Sequence, residues 1–331
     1  MSVWGVTGAT GFIGQHLCRH LLDRGERVVA LVRPESSAGQ MDSRAEVRRV
    51  NLDDPSGLQR ALTGIEIGVH LAAPRRTVRR RQGTPTRHGL RGGSRETMVD
   101  AVAALLTAGS RAGMRRLVLA SSTAVFGHTW RAVGDHDRPG PDTPYGRDRL
   151  AGEETAALLG SQLSVETVVA RLSEVFGPGS SSHGPLFLSV ARGGFRVIGD
   201  GRHAHQLAYV DDAVRALDAC GRLPGAAGKA LLVSGPRITL REWIGGIAMA
   251  AGTSVRYFGA AGGPARALLH ALGSVPIHVG GSRRLAWDYM LRPRAYDVRR
   301  SLEVLGPYQG SDLNRGIEAT LAWYRAHDFS N

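Results

Sequence analysis

Val3-Trp4-Gly5-Val6-Thr7-Gly8-Ala9-Thr10-Gly11-Phe12-Ile13-Gly14 carries an apolar run into three glycines spaced G-x-x-G-x-x-G and then into an amphipathic segment. Val3 to Val6 predicts a strand, and Phe12 to Arg24 predicts a helix with Leu17, Leu21 and Leu22 on one face. A chain that passes from strand to helix through such a turn leaves free backbone N–H groups at the positive end of the helix dipole. Glycines there, lacking Cβ atoms, let a pyrophosphate approach those groups. The stretch therefore predicts a dinucleotide-binding turn at Gly8, Thr10, Gly11, Phe12, Ile13 and Gly14, with a tight turn that binds nothing as the plainer alternative.

Outward from this turn, the first half alternates β-branched or apolar runs with helical periodicity, which predicts a parallel sheet with crossover helices. Strands are expected at Val3 to Val6, Arg27 to Val32, Ile65 to Leu71, Arg116 to Ala120 and Val165 to Ala170, and a further helix at Glu96 to Ala112. The expected class is α/β: a Rossmann-like doubly wound parallel sheet with a smaller C-terminal substrate-binding lobe. Residues 1-175 form the dinucleotide-binding domain in this reading, and 176-331 are mainly the lobe, with 206-235 returning to the sheet through a strand at Ala230 to Val233. Within the lobe, a loop is expected from Ser180 to Gly184 and a helix from Leu240 to Ala251, along with the stretches Pro264 to Leu272 and Arg283 to Tyr289. Thr239 and Glu242 have the spacing of a capping box at the start of that helix.

The end of the second strand discriminates between cofactors, because an acid there binds ribose hydroxyls whereas an arginine accommodates a 2′-phosphate. The chain reads Ala30-Leu31-Val32-Arg33-Pro34, with Ser36 and Ser37 as further donors, so NADP(H) is favoured over NAD(H). A solvated surface arginine is the alternative for Arg33.

The formal charge is +13, and Lys229 is the sole lysine among 42 basic residues, so arginine carries nearly all of it. Heavy use of Arg, Ala and Gly is a compositional bias, and no basic helix interleaves aromatics, so no nucleic-acid partner is expected. Arg75 to Arg95 holds eight arginines among glycines and prolines. It reads either as a solvated loop or as the contact for an acidic carrier or phosphorylated group. No run approaches the roughly 20 apolar residues that cross a bilayer, and the first residues lack a basic segment before an apolar one, so no membrane partner is expected and a cytoplasmic location is. Cys18 and Cys220 stand apart in helical stretches and suggest buried thiols rather than a disulfide or a metal site.

Later motifs resemble those of the extended short-chain dehydrogenase/reductases, the NAD(P)-dependent epimerase/dehydratase family, in the right order over nearly the whole chain. They are His70-Leu71-Ala72-Ala73, Ser121-Ser122-Thr123-Ala124-Val125-Phe126-Gly127, Tyr145-Gly146-Arg147-Asp148-Arg149, Arg171 to Gly179, Gly199-Asp200-Gly201 through Asp212, and Tyr296-Asp297-Val298 through Leu305-Gly306. The resemblance implies that Tyr145 exchanges a proton with the substrate oxygen and that Ser122 orients that oxygen. It also implies cofactor contacts at Leu71, Ala72, Ala73, Tyr145 and Arg149, and at Asn51-Leu52, where an Asp-Leu pair usually meets the adenine. Ser121 and Thr123 are expected to hydrogen-bond within their own loop. Arg149 stands where the family has lysine. It keeps a positive charge beside the tyrosine but cannot relay a proton. Met98 replaces a usual asparagine. The resemblance further implies a homodimer through the helices that include the tyrosine segment.

Many such relatives act on nucleotide-linked sugars, holding the diphosphate through an asparagine in R-x-x-N and an arginine after the G-D-G turn. Here Glu174 and His205 stand at those positions, and a carboxylate repels a diphosphate, although Arg202 offers partial compensation. Ala265 to Leu272 and Val275 to Val279 add an apolar run to the lobe. The expected function is therefore NADP(H)-dependent interconversion of a ketone and an alcohol on a mainly apolar small molecule. The alternatives are a nucleotide-sugar epimerase, dehydratase or 4-ketoreductase, and a non-catalytic NADP(H)-binding sensor motivated by Arg149.

Overall fold

Among the described residues, seven parallel strands build the sheet in the order β3-β2-β1-β4-β5-β7-β11. These are β1 (Val3–Thr7), β2 (Arg27–Val32), β3 (Glu46–Arg49), β4 (Ile67–His70), β5 (Arg116–Ser122), β7 (Glu166–Leu172) and β11 (Ala230–Val233). The computed structural model of the chain describes residues 1–39, 41–72, 94–258 and 292–327. Ala73, the Arg75 to Arg95 loop as far as residue 93, and the lobe stretches at 264–272, 275–279 and 283–289 lie outside the described residues.

Alternate residues of each strand face opposite layers, so each strand feeds two cores. On one side Trp4 and Val6 of β1 pack with Leu17 and Leu21 of α1 (Phe12–Asp23) and with Val214 and Leu217 of α6 (Val210–Arg222). On the other side Val29 and Leu31 of β2 meet Leu58 of α2 (Pro55–Leu62), Val102 and Leu105 of α3 (Ser94–Ala112) and Ala156 of α4 (Pro144–Gln162). Each such valine or leucine side chain contributes roughly 1.5–3 kcal/mol on burial.

A third core joins Phe176 of β8 (Val175–Phe176), Phe187 of α5 (Gly184–Ala191) and Val197 of β9 (Phe195–Ile198). Trp243 of α7 (Leu240–Ala251) and Tyr324 of α9 (Leu313–Ala326) complete it. Three short strands complete this half: β10 (Ala208–Tyr209) pairs with β8, β12 (Val255–Phe258) pairs with β9, and β13 (Tyr296–Asp297) pairs with β6 (Val133–Gly134). Between these parts α8 (Arg299–Leu305) returns to the first core through Leu305. The capping box is present, with Thr239 Oγ1 accepting from Glu242 N and Thr239 N donating to Glu242 Oε2.

Several boundaries differ from the sequence reading. β4 begins at Ile67 rather than Ile65, β5 runs on to Ser122, and β7 spans Glu166 to Leu172. α3 starts at Ser94, which takes Arg95 into a helix rather than a loop. The reading omitted β3 and α2. β3 is a largely exposed edge strand without apolar alternation, and α2 has only eight residues. Cys18 and Cys220 are buried free thiols, each pushed up to about 12 mainly by burial.

Candidate active site

The strand order reverses between β1 and β4, and a doubly wound sheet opens its ligand crevice at such a switch point. There the turn after β1 lies against the end of β4: a Cβ on Gly8, whose φ is +70°, would stand 2.8 Å from Ala72 N. A Cβ on Gly14 would stand 2.2 Å from Gly8 O. α1 then begins at Phe12 with Gly11 as its N-cap and no side-chain cap, which leaves its first amides facing the crevice edge. This cradle fits a dinucleotide pyrophosphate, which Gly8, Gly11, Phe12, Ile13 and Gly14 would hold. Beneath it Thr7 Oγ1 and His70 Nδ1 join β1 to β4 at 2.7 Å. Burial, then the charge of Arg149, lowers His70 to about 3, so the ring is neutral.

Tyr145 reaches the crevice because α4 has a sharp, close-fitting start. Thr143 Oγ1 caps it by accepting from Gly146 N at 3.0 Å, and Pro144 occupies the first turn. Gly146 then presses on the loop after β5, where a Cβ would come within 2.3 Å of Ala124 O. Ser122 and Tyr145 thereby line one cavity of about 500 Å³ together with Phe12 and Ile13. Arg149 does not line it. Its guanidinium sits 5.0 Å from the centre of the Tyr145 ring and donates to Ala120 O at 3.2 Å, while its buried Nε has no hydrogen-bond partner.

The loop neighbours depart from expectation. Ser121 donates not within its loop but to Glu153 Oε1 at 2.5 Å, and Arg171 grips that carboxylate with bonds of 2.7 to 3.2 Å. Thr123 Oγ1 reaches across to Tyr296 OH at 3.1 Å. The cause in both cases is burial: an unmade bond on a buried hydroxyl is costly, and the local backbone is already engaged in strand and turn. Met98 is buried against Gly152, so apolar packing replaces the polar contact expected at that position.

The cavity is also lined by Ser173, Glu174, Ser182, Arg292, Arg294 and Tyr296. Burial pushes the Glu174 carboxyl up, but the facing His183 and the charge of Arg294 outweigh it and hold the group down at about 2. His205 is fully buried and is pushed down to about 3 by burial and by Arg294, so it is a neutral ring rather than a clamp. Arg202 is exposed and outside the cavity lining, whereas Arg292 and Arg294 line it.

The remaining sequence candidates stand apart from this cavity. Arg33 is exposed beyond the end of β2, with Nε 3.7 Å from Glu35 Oε1. Asn51 is exposed, its side-chain oxygen accepting from Asp53 N at 3.4 Å, and Leu52 packs on the second core. Thr10 lines a neighbouring groove with Gln15 and Arg19. Sequence reasoning missed Glu153, His183, Arg292 and Arg294 as site groups. Only Glu153, one helical turn after Arg149, carried a local signal.

Comparison with known proteins agrees with this architecture. The signature of the NAD dependent epimerase/dehydratase family matches residues 4–231. The chain is 29% identical to a dTDP-glucose 4,6-dehydratase of Streptomyces griseus, covering 97% of this chain and 94% of that one. It is 31% identical to a 2-alkyl-3-oxoalkanoate reductase of Stenotrophomonas maltophilia over 75% of each. Among solved structures, MoeE5 in complex with UDP-glucose and NAD superposes with a TM-score of 0.69 at 25% identity, covering 99% of both chains. The chain is an enzyme of the NAD dependent epimerase/dehydratase family, of the extended short-chain dehydrogenase type.

Proposed function

We propose that this enzyme moves hydride at a sugar carbon of a nucleotide-linked sugar, as an epimerase, dehydratase or 4-ketoreductase. The observation that carries the reading is the pair Arg292 and Arg294, which share the cavity with Ser122 and Tyr145. Two guanidinium groups suit a diphosphate, and they answer the objection that Glu174 raised, since that carboxylate also faces His183 rather than standing alone. The relatives named for nucleotide sugars support this reading over the apolar ketone substrate expected from Glu174 and His205.

When bound, the dinucleotide supplies a hydride acceptor and donor at its nicotinamide. Tyr145 takes the proton of the substrate hydroxyl as that carbon is oxidised and returns it on reduction, and Ser122 orients the oxygen. The guanidinium of Arg149 lies 5.0 Å from the centre of the phenol ring, a cation–π contact that helps hold the ring in place. Arg149 keeps the charge of the usual lysine. With the family and relatives being enzymes, the non-catalytic sensor loses its motive.

Arg33 supports NADP(H) over NAD(H), against the partial neutralisation offered by Glu35. Residues 1-175 are read as the dinucleotide-binding domain and the remainder, apart from 206-235, mainly as the substrate lobe. A homodimer through α4 accords with the exposure of Leu158 on that helix. No helix among the described residues is long and apolar enough to cross a membrane.

The 2-alkyl-3-oxoalkanoate reductase relative favours a second reading, reduction of an apolar ketone, for which Leu172 and Val175 supply cavity surface. Incubation with dTDP-glucose, UDP-glucose and UDP-galactose plus either dinucleotide, with products resolved by chromatography and NMR, separates the two. A new sugar product supports the first reading. Turnover of a 3-oxoalkanoate alone replaces it.

A further inference from the structure

Behind the cavity residues Glu174 and Ser182 runs a hydrogen-bonded chain that the reaction scheme above does not use. His183 is buried on the loop before α5, and its Nε2 stands 3.1 Å from Glu174 Oε1, a bent approach rather than an in-line bond. Its Nδ1 lies 3.1 Å from Ser180 Oγ and 3.2 Å from Ser182 Oγ, and the two hydroxyl oxygens are 3.1 Å apart. The loop is anchored from behind, since the Tyr324 hydroxyl donates to Ser180 O. An ionised carboxylate only accepts, so the nitrogen facing Glu174 carries the ring hydrogen. With the ring neutral and its hydrogen on Nε2, Nδ1 is an acceptor, and satisfying it together with the Ser180–Ser182 contact turns the hydroxyl hydrogen of Ser182 inward. What Ser182 offers the cavity is a lone pair.

Two neighbours add to this polarity. Glu174 lines the cavity and offers carboxylate lone pairs. Ser173 also lines it, and although the residue is only 5% exposed its hydroxyl has no hydrogen-bond partner. A buried orphan hydroxyl is costly in the empty protein and is satisfied by a ligand group. The cavity is thus divided, with donors at Arg292 and Arg294 and acceptors at Glu174 and Ser182.

We propose that Ser173, Glu174 and Ser182 form a hydroxyl-binding subsite for the sugar ring, with His183 as the positioning residue that turns the hydroxyl of Ser182 inward. This rests on the nucleotide-sugar reading and assigns Glu174 to the sugar rather than to the diphosphate. The subsite suits a ring that offers hydroxyl donors and disfavours a group that offers only acceptors.

The test is calorimetric titration of the dinucleotide-loaded protein with UDP-glucose and dTDP-glucose, and with UDP and dTDP alone. Glu174→Gln, which cannot offer a carboxylate, and Ser182→Ala, at an exposed position that folding tolerates, should each weaken the sugar nucleotides about tenfold while leaving UDP and dTDP unchanged. Equal affinities before and after substitution, or equal losses for nucleotide and sugar nucleotide, overturn the subsite and leave the nucleotide-sugar reading standing. If the parent protein binds none of the four, that reading and the subsite fall together. The positioning role of His183 is read separately, from its imidazole ¹⁵N shifts, assigned by comparison with His183→Gln. A neutral ring protonated at Nε2 near pH 7 supports it, and a ring protonated at Nδ1 overturns it.

Discussion

At the scale of single residues, Tyr145 and Arg149 act as one unit, because the guanidinium lies over the phenol ring, 5.0 Å from its centre. Tyr145→Phe should lower turnover roughly 10²–10⁴-fold while dinucleotide binding, followed by calorimetry, stays nearly intact, since only the proton carrier is lost. Arg149→Lys should keep or raise activity by restoring a compact ammonium, and Arg149→Met should harm both binding and turnover. Full activity in Tyr145→Phe would withdraw the acid/base assignment. A separate residue decides the cofactor: Arg33→Asp should weaken NADP(H) far more than NAD(H), and equal affinity of the parent for both would remove the role given to Arg33. Residues with family motifs around them were legible in the sequence, whereas His183, Arg292 and Arg294 were not. Their meaning comes from partners far along the chain, and no periodicity reports which loop faces which strand.

At the scale of elements, the turn from β1 into α1 was readable because strand, glycine spacing and helix periodicity all agree there. The same agreement explains why β3 and α2 escaped notice: a charged edge strand and a two-turn helix present too few apolar positions to show a period. The cradle is also the element most sensitive to a single methyl group. Gly14→Ala places a Cβ 2.2 Å from Gly8 O, so the turn must open and its amides lose their common aim. Dinucleotide affinity should fall at least about tenfold while far-UV circular dichroism remains that of the parent. Unchanged affinity would show that the pyrophosphate is held elsewhere.

For the whole molecule, one buried carboxylate ties the first helix to the sixth. Asp218 of α6 meets Arg222 Nε at 2.7 Å, His20 Nε2 at 3.1 Å and Arg24 Nε at 3.2 Å. Burial raises this carboxyl, but the hydrogen bonds from His20 and Arg222 and the charges of Arg222 and Arg24 leave it below its ordinary value. A carboxyl depressed in the folded state adds stability above the unfolded pKa, near 3.9, and the contribution disappears as pH falls through the folded value. Asp218→Asn should therefore cost about 2 kcal/mol at pH 7, discounted for the partial exposure of its partners. Urea melts should show the gap between variant and parent closing below about pH 4, and a gap of constant size would deny the linkage. The chain also crosses between its cores repeatedly: Phe176 to Leu207 serve the third, Val210 to Val233 the first, Leu240 to Ala248 the third, Leu305 and Tyr308 the first, and Ile317 to Tyr324 the third again. For evolution this braid removes a shortcut. One recombination breakpoint cannot deliver a foreign pocket intact, so point substitution in the cavity wall, with the cofactor cradle left in place beside it, is the shorter route to a new substrate.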